Sequence, residues 1–259
     1  MLFLIFILFG GIAQFIDGTI GMGYGVSASR LLISLGIYPA IASASVHTAE
    51  IFTTFASGSF HLKFGNVRQD LVKFLSIPGI LGGILGAYLC VKMPPLPLKL
   101  VVNIILLIMG MIILYRFTCK RLIQFKIEQP SPKFLIPLGF FAAFIDALGG
   151  GGWGPIATPA LVLNKVEPSK AIGSVNLAEF FVTVAEVITF FILLGRERFR
   201  GEIVLALIIG GVITAPLAAL TCKRLPHKIL GQIVGIALII LSAYSLLKIF
   251  LLKNGCVPR

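Results

Sequence analysis

Residues 15–26 read FIDGTIGMGYGV, and residues 144–155 read FIDALGGGGWGP. Each copy places Phe-Ile-Asp ahead of a glycine cluster, and the two copies align without a gap at an offset of 129 positions. The same offset pairs Glu50 with Glu179 downstream of the clusters. We therefore predict that the chain consists of two homologous halves.

A basic connection separates the two halves. It carries several Lys and Arg residues against one acidic residue, Glu128, and the positive-inside rule places such a connection in the cytoplasm. The predicted organisation is a first transmembrane repeat at 1–117, a basic cytoplasmic linker at 118–133, a second transmembrane repeat at 134–252 and a C-terminal tail at 253–259.

The composition indicates that the surrounding solvent is lipid. Hydrophobic residues make up 58% of the chain and charged residues only 12%, with a mean hydropathy of +1.03. Several apolar runs reach the roughly 20 residues that span a bilayer, and in lipid they form helices because only helices and closed barrels satisfy their backbone there. The net charge of +12 is spread over short connections, which favours membrane flanks over a nucleic-acid surface. We expect a multi-pass protein of the cytoplasmic membrane.

The glycine clusters interrupt helices. The apolar stretches beside them, at 1–16 and 26–36 and at 134–147 and 155–164, are too short to cross about 30 Å of hydrocarbon at about 1.5 Å per residue. We predict an all-α polytopic fold in which each repeat contains a glycine-broken pair of half-helices and three longer helices. We favour inverted over parallel repeats, because half-helices that enter from opposite faces would meet at the midplane.

Paired breaks at corresponding positions of two halves indicate the binding site of a transporter. Unwound backbone at this depth needs a protein or water environment, and the freed amides of the following helices favour anions. The alternative is that the glycines only allow close helix packing, as we expect for Gly82 and Gly86. The candidate substrate-binding residues at the breaks are Gly21, Gly23, Tyr24, Gly25, Gly150, Gly151, Gly152 and Trp153.

A polar stripe follows each break. His47 and Glu50 share one helix face in the first half, and Asn176 and Glu179 hold the same positions in the second. Ionisable groups inside membrane helices are costly and usually face the bundle interior. We therefore predict that His47 and Asn176 contact the substrate. Glu50 and Glu179 are candidates for coupling protons or organising the pocket, unless they only tie helices together.

Other charged residues lie near the breaks or on the stripe. Asp17 and Asp146 precede the glycine clusters, where Asp readily caps the next half-helix, and they join the candidates for proton coupling or pocket organisation. Arg30 stands among apolar residues, where it would meet an anionic substrate, pair with a carboxylate such as Asp17, or extend to the membrane interface. Glu186 has Ser57 as its counterpart, and a structural role fits it nearly as well as a functional one.

A metal site is the less favoured interpretation of the histidines. His47, Glu50 and His61 share one face of a helix, and histidine is a common metal ligand. In the second half Asn176 and Phe190 replace the two histidines, so this set is not duplicated. We expect no metal and no cofactor.

The motifs resemble those of the TauE/SafE family, also called the sulfite exporter or TSUP family. The resemblance rests on the repeated Asp-x-x-x-Gly-x-Gly-x-Gly region, on the four glycines at 149–152 followed by Pro155 and Pro159, and on the downstream glutamate of each half. It implies a polytopic inner-membrane transporter of sulfur-containing anions such as sulfite, sulfoacetate and other organosulfonates. Arg30 stands where the second half has Pro159, so the resemblance does not fix the substrate within the family.

The function expected from these features is secondary transport. No nucleotide-binding motif of the form Gly-x-x-x-x-Gly-Lys-Ser/Thr occurs in the sequence to indicate an ATP-driven motor. We expect a permease or exporter of a small sulfur-containing anion, with proton coupling as an option and no enzyme activity. An anion channel, a divalent metal transporter and an intramembrane hydrolase are the alternatives. The expected partners are the anion and the lipid bilayer, and a homodimer is left open.

Overall fold

The chain folds as a bundle of α-helices. The computed structural model describes residues 2–35, 37–92, 104, 107–108, 110–115, 117–118, 130–149, 151–195 and 199–253. The helices are α1 (Leu2–Ile20), α2 (Tyr24–Ser34), α3 (Pro39–Lys63), α4 (Gln69–Lys92), α5 (Pro132–Gly149), α6 (Trp153–Leu163), α7 (Pro168–Leu194), α8 (Gly201–Arg224) and α9 (His227–Lys253). Residues 110–115 are helical as well. The described ranges contain no strand, which confirms the all-α prediction.

Five of the helices are long and apolar enough to cross a membrane. Their candidate spans are Phe3–Ile20, Gln69–Lys92, Pro168–Leu194, Gly201–Arg224 and Lys228–Leu247. Large apolar side chains such as Leu8, Ile192 and Ile213 are exposed on the outside of the bundle, as a surface in contact with lipid requires. The prediction of a polytopic membrane protein is therefore confirmed.

The first helix is longer than the sequence analysis expects. α1 continues past the predicted end at residue 16 to Ile20, and the backbone N–H of Gly21 still donates to the Asp17 carbonyl oxygen at 2.6 Å. The helix stops where Gly21 and Gly23 adopt φ angles of +75° and +126°, which favour glycine. The prediction of a half-length first helix is therefore wrong, because nothing before Gly21 interrupts the hydrogen bonding. The short helices are α2 and α6, with 11 residues each.

Helices of the two predicted halves pack against each other. α1 lies along α8 and α4 lies along α5, while α3 contacts α7 and α8, and α7 also contacts α4. If each helix is matched to its counterpart in the other half, the α1–α8 contact corresponds to α5–α4, and α3–α8 corresponds to α7–α4. The homology of the halves and their inverted orientation stay predictions.

Glycines set the distance between the paired helices. A Cβ atom on Gly82 of α4 would lie 2.0 Å from the Phe140 carbonyl oxygen of α5. One on Gly210 of α8 would lie 1.9 Å from the Ile7 carbonyl oxygen of α1. Both distances are far below van der Waals contact, so the backbones approach this closely only because the side chains are absent.

Two predicted segments lie mostly outside the described residues. They are the cytoplasmic linker at 118–133 and the C-terminal tail at 253–259. Their boundaries stay predictions.

Candidate functional site

The two helix breaks cross in the interior of the bundle. Thr158 of α6 donates its hydroxyl proton to the Gly21 carbonyl oxygen at 2.9 Å. A Cβ atom on Gly151 would lie 2.1 Å from the backbone nitrogen of Val26, and one on Gly154 would lie 2.5 Å from the Gly21 carbonyl oxygen. The breaks therefore meet backbone to backbone.

At each break, an aspartate side chain accepts a hydrogen bond from a backbone N–H. Asp146 accepts a hydrogen bond from the Gly152 N–H at 2.5 Å, and Asp17 accepts a longer one from the Tyr24 N–H at 3.5 Å. Both aspartates are buried. At each break, an aspartate carboxylate thus accepts a hydrogen bond from a backbone N–H that the sequence analysis expects to bind the substrate anion.

His47 lies among three carboxylates that come from three helices. Its Nε2 atom is 2.9 Å from Glu186 Oε2 of α7 and 3.6 Å from Asp146 Oδ2 of α5, and its Nδ1 atom is 3.4 Å from Glu50 Oε2 of α3. None of the four side chains is more than 3% exposed. We refer to these four residues as the His47 cluster.

The His47 cluster contains more acidic than basic groups, and several of its polar atoms lack a well-aligned hydrogen bond. Both ring nitrogens of His47, both carboxylate oxygens of Glu186, and one oxygen each of Glu50 and Asp146 lack a hydrogen bond of acceptable geometry, despite the short distances. One imidazole faces three carboxylates, so even a doubly protonated ring cannot neutralise three ionised partners. Because uncompensated buried charge is strongly unfavourable, protons or a cation must accompany these carboxylates.

The positions equivalent to His47 and Glu186 form a second contact between α3 and α7, and neither of its two side chains is ionisable. Ser57 of α3 donates its hydroxyl proton to Asn176 Oδ1 of α7 at 2.7 Å. Under the offset of 129, Asn176 corresponds to His47 and Ser57 corresponds to Glu186. α3 and α7 therefore meet in two equivalent contacts, one between a histidine and a glutamate and one between an asparagine and a serine, and Asn176 also contacts the Asp17 carboxylate. We refer to Asn176 and Ser57 as the Asn176 pair.

Gln14 of α1 lies beside the Asn176 pair. A Cβ atom on Gly18 would lie 3.1 Å from Ser57 Oγ and 3.5 Å from Gln14 Nε2, so both polar groups surround the same point. Gln14 is fully buried, and neither its amide nitrogen nor its amide oxygen has a hydrogen-bond partner among the described residues. Buried polar groups are almost always hydrogen-bonded, so this amide marks a place where a polar ligand would complete the bonding.

The two aromatic candidates have buried side chains. The Trp153 indole N–H donates to the Val175 carbonyl oxygen at 3.1 Å, and the Tyr24 hydroxyl donates to the Leu207 carbonyl oxygen at 3.4 Å. Neither residue is more than 2% exposed. Both side chains are thus engaged with the protein.

The remaining candidates have different positions. Glu179 lies on α7 one helical turn beyond Asn176 and is buried. Gly23 precedes the first residue of α2, and Gly25 packs against Gly151. Two candidates, Gly150 and the side chain of Arg30, lie outside the described part of the chain.

The alternative metal set of His47, Glu50 and His61 is wrong. His61 lies about 21 Å along the axis of α3 from His47. Its Nε2–H donates to the Gly18 carbonyl oxygen at 2.8 Å, and its Nδ1 accepts from the Asn66 amide at 3.1 Å. Residues that share a helix face can thus be too far apart for one ion.

The sequence analysis missed Gln14 and undervalued Glu186. Gln14 precedes Asp17 by three positions, so both lie on one face of α1, and this spacing was the available signal. Glu186 follows Glu179 by seven positions, about two helical turns. Its apolar surroundings in the sequence were compatible with either role, and its contact with His47 is visible only in three dimensions.

Buried ionisable groups at the crossing of two broken helices, inside a bundle with an apolar exterior, define a multi-pass membrane protein with a polar internal site, as in transporters. Comparison with known proteins agrees. The family model described as Sulfite exporter TauE/SafE matches residues 6–245. A relative from Bacillus subtilis (strain 168), named "Probable membrane transporter protein YtnM", is 40% identical over 258 residues, which is 98% of this chain and 86% of the relative. No solved structure matches.

The chain belongs to the TauE/SafE family. It is a membrane transporter of that type, located in the cell membrane. The resemblance stated from the motifs is thereby confirmed.

Proposed function

We propose that this transporter carries a small sulfur-containing anion, such as sulfite or an organosulfonate, across the cytoplasmic membrane by secondary transport. The matched family is described as a sulfite exporter. The observation that carries the proposal is the fully buried, unpaired amide of Gln14 beside the Asn176 pair. It supplies hydrogen-bonding groups that the protein itself leaves unused.

Neutral donors suit an anion that must be released as well as bound. The side-chain amides of Gln14 and Asn176 can donate hydrogen bonds without adding a fixed positive charge, while the Ser57 hydroxyl, which donates to Asn176 Oδ1, orients the Asn176 amide. Hydrogen bonds to an ionised oxygen are roughly twice as strong as those between neutral groups. Because Asp17 and Asp146 each hold an amide at the breaks, we assign the anion mainly to these side chains and only secondarily to the glycine backbone.

The acidic interior supports proton coupling at Glu179. An anion that enters beside an ionised Glu179 is repelled by it, and a proton on this carboxyl group removes the repulsion. Glu50 is less suitable because it contacts His47 in the other cluster. We infer that anion and proton move in the same direction. The titratable groups that act electrostatically on Glu179 are Asp17, Glu50, Asp146 and Glu186.

Thermal unfolding of the purified protein tests the substrate class. Sulfite, thiosulfate, sulfate, sulfoacetate and chloride are added separately, because a ligand that prefers the folded state raises the melting temperature by mass action. We expect one sulfur anion to stabilise selectively, and Asn176→Ala to remove that shift. The control is Asn164→Ala at the end of α6, whose side-chain amide donates to the Ala160 carbonyl oxygen at 3.0 Å.

Uptake into proteoliposomes separates a carrier from a channel. We expect the initial rate to saturate as the concentration of the stabilising anion rises. A rate that grows linearly with concentration would replace the carrier by a channel. If no anion of the panel stabilises the protein or is taken up, the anion proposal fails.

A further inference from the structure

We propose that His47, Asp146 and Glu186 form a binding site for a divalent transition-metal ion. One ligand atom of each residue lies within 4.8 Å of those of the other two, and all three side chains are buried. The site is separate from the Asn176 pair, and the inference does not depend on which anion is transported.

The distances between ligand atoms match those around a metal. Imidazole nitrogen and carboxylate oxygen bind Zn²⁺ at about 2.0–2.2 Å, so two ligand atoms of one ion are about 3.0 Å apart in octahedral and about 3.4 Å apart in tetrahedral geometry. His47 Nε2 lies 2.9 Å from Glu186 Oε2 and 3.6 Å from Asp146 Oδ2. Two of the three ligand pairs thus have spacings close to those around a shared ion, and the third pair, Asp146 and Glu186, lies within 4.8 Å.

The unpaired atoms are the ones that a metal would use. Within the described part of the chain, Nε2 of His47, Oδ2 of Asp146 and both oxygens of Glu186 lack a hydrogen bond of acceptable geometry. The other carboxylate oxygen of Asp146, Oδ1, accepts from the Gly152 N–H. This hydrogen bond fixes the carboxylate so that Oδ2 faces the imidazole. An ion pair alone would be expected to align donors with acceptors, and that alignment is missing here.

Glu50 completes the arrangement from the far side of the ring. Its Oε2 atom lies 3.4 Å from Nδ1 of His47. A histidine that binds metal through one nitrogen usually directs the N–H of the other towards a carboxylate, which fixes the tautomer and orients the ring. Glu50 is therefore a positioning residue for His47 and not a ligand.

The ligand set favours a transition metal over magnesium, calcium or sodium. Imidazole suits Zn, Fe, Cu and Ni, whereas Mg²⁺ and Ca²⁺ prefer oxygen ligands alone. A divalent cation would also offset two of the negative charges that Asp146, Glu186 and Glu50 bring into the interior. The equivalent positions in the other half, Asn176 and Ser57, lack these ligands, so we expect one ion per chain.

Metal titration of the full chain in detergent micelles tests the site without any anion. Metal-stripped protein is titrated with Co²⁺, followed by its visible absorption and by elemental analysis after gel filtration. Zn²⁺, Mn²⁺ and Mg²⁺ are compared by thermal shift. We expect one Co²⁺ per chain, displacement by Zn²⁺ and no competition from Mg²⁺.

Two substitutions copy the other half of the chain. His47→Asn and Glu186→Ser introduce the residues found at the equivalent positions, and each is expected to weaken Co²⁺ binding at least about 10-fold. Asp70→Asn, which removes a partly exposed carboxylate paired with Arg68, is expected to leave binding unchanged. Gel filtration identifies a variant that fails to fold. In that case the Co²⁺ affinity of the other variant is compared with those of the wild-type protein and Asp70→Asn.

Three results would overturn the metal site. They are the lack of stoichiometric binding by any of the transition metals, unchanged affinity in both variants, and stabilisation by acid in the absence of any metal effect, which would assign the cluster to protons. Any of them leaves the anion proposal standing, because that proposal depends on Gln14 and the Asn176 pair.

Discussion

Glu186 Oε2 of α7 lies 2.9 Å from His47 Nε2 of α3, and the contact at the equivalent positions joins Ser57 of α3 to Asn176 of α7 at 2.7 Å. The two contacts connect the same helices but differ in charge. Under the two proposals above, the anion is assigned to the contact without a charged pair, and a cation or protons are assigned to the other.

The contact between His47 and Glu186 predicts strong coupling between their substitutions. Either single change, His47→Asn or Glu186→Ser, leaves one buried polar group without its partner and lowers the free energy of unfolding. The double variant recreates a neutral pair like that of Asn176 and Ser57. We expect a coupling energy of about 0.5–3 kcal/mol, measured by unfolding in mixed micelles with a chelator present.

The matched control for this cycle combines His47→Asn with Asp70→Asn. Asp70 pairs with Arg68 and is only partly buried, so the two effects are expected to add. If the His47→Asn and Glu186→Ser effects also add, the two side chains do not interact in the folded protein.

Local signals explain why the breaks could be predicted from the sequence. Gly21 and Gly151 adopt φ angles of +75° and +140°. A glycine cluster in a sequence indicates such positive φ angles directly, because glycine adopts them without steric cost. The spacing of His47 and Glu50 likewise reports a shared helix face. These features depend only on neighbours along the chain.

The composition of the His47 cluster could not be predicted in the same way. Asp146 and Glu186 reach His47 from α5 and α7, across long separations in sequence. No helical period encodes which faces of different helices meet. The less favoured metal interpretation in the sequence analysis therefore included His61, which shares the helix face of His47 but bonds to Gly18 and Asn66 instead.

Close packing between α4 and α5 predicts a cost for any side chain at Gly82. A Cβ atom there would lie 2.0 Å from the Phe140 carbonyl oxygen, and backbone atoms cannot easily move away. We expect Gly82→Ala to destabilise the protein by about 1–3 kcal/mol, seen as a lower melting temperature. Gly201→Ala is the control, because a Cβ atom on Gly201 has nothing within 4 Å. Equal melting temperatures for the two variants would contradict the observed helix contact.

Proton coupling at Glu179 predicts a change in the response to a pH gradient. Glu179→Gln keeps the size of the side chain but cannot exchange a proton in the relevant range. We expect anion flux into proteoliposomes to lose its dependence on an imposed pH gradient, while anion binding to purified protein persists. Glu167→Gln, a matched change just before α7 where the carboxylate accepts from the Ser169 hydroxyl, is expected to keep the dependence. Unchanged gradient-driven flux in Glu179→Gln excludes this role.

The unpaired amide of Gln14 predicts opposite effects on stability and on anion binding. Replacing a buried polar group that lacks a partner by an apolar group of similar shape is neutral or stabilising. We therefore expect Gln14→Leu to melt at the same or a higher temperature than the wild-type protein without ligand, yet to lose the stabilisation by the sulfur anion. The control is Gln232→Leu on α9, where the amide contacts Thr118 away from the polar interior, and the anion shift is expected to remain. A lower melting temperature of Gln14→Leu with a preserved anion shift would show that this amide serves the fold and not the substrate.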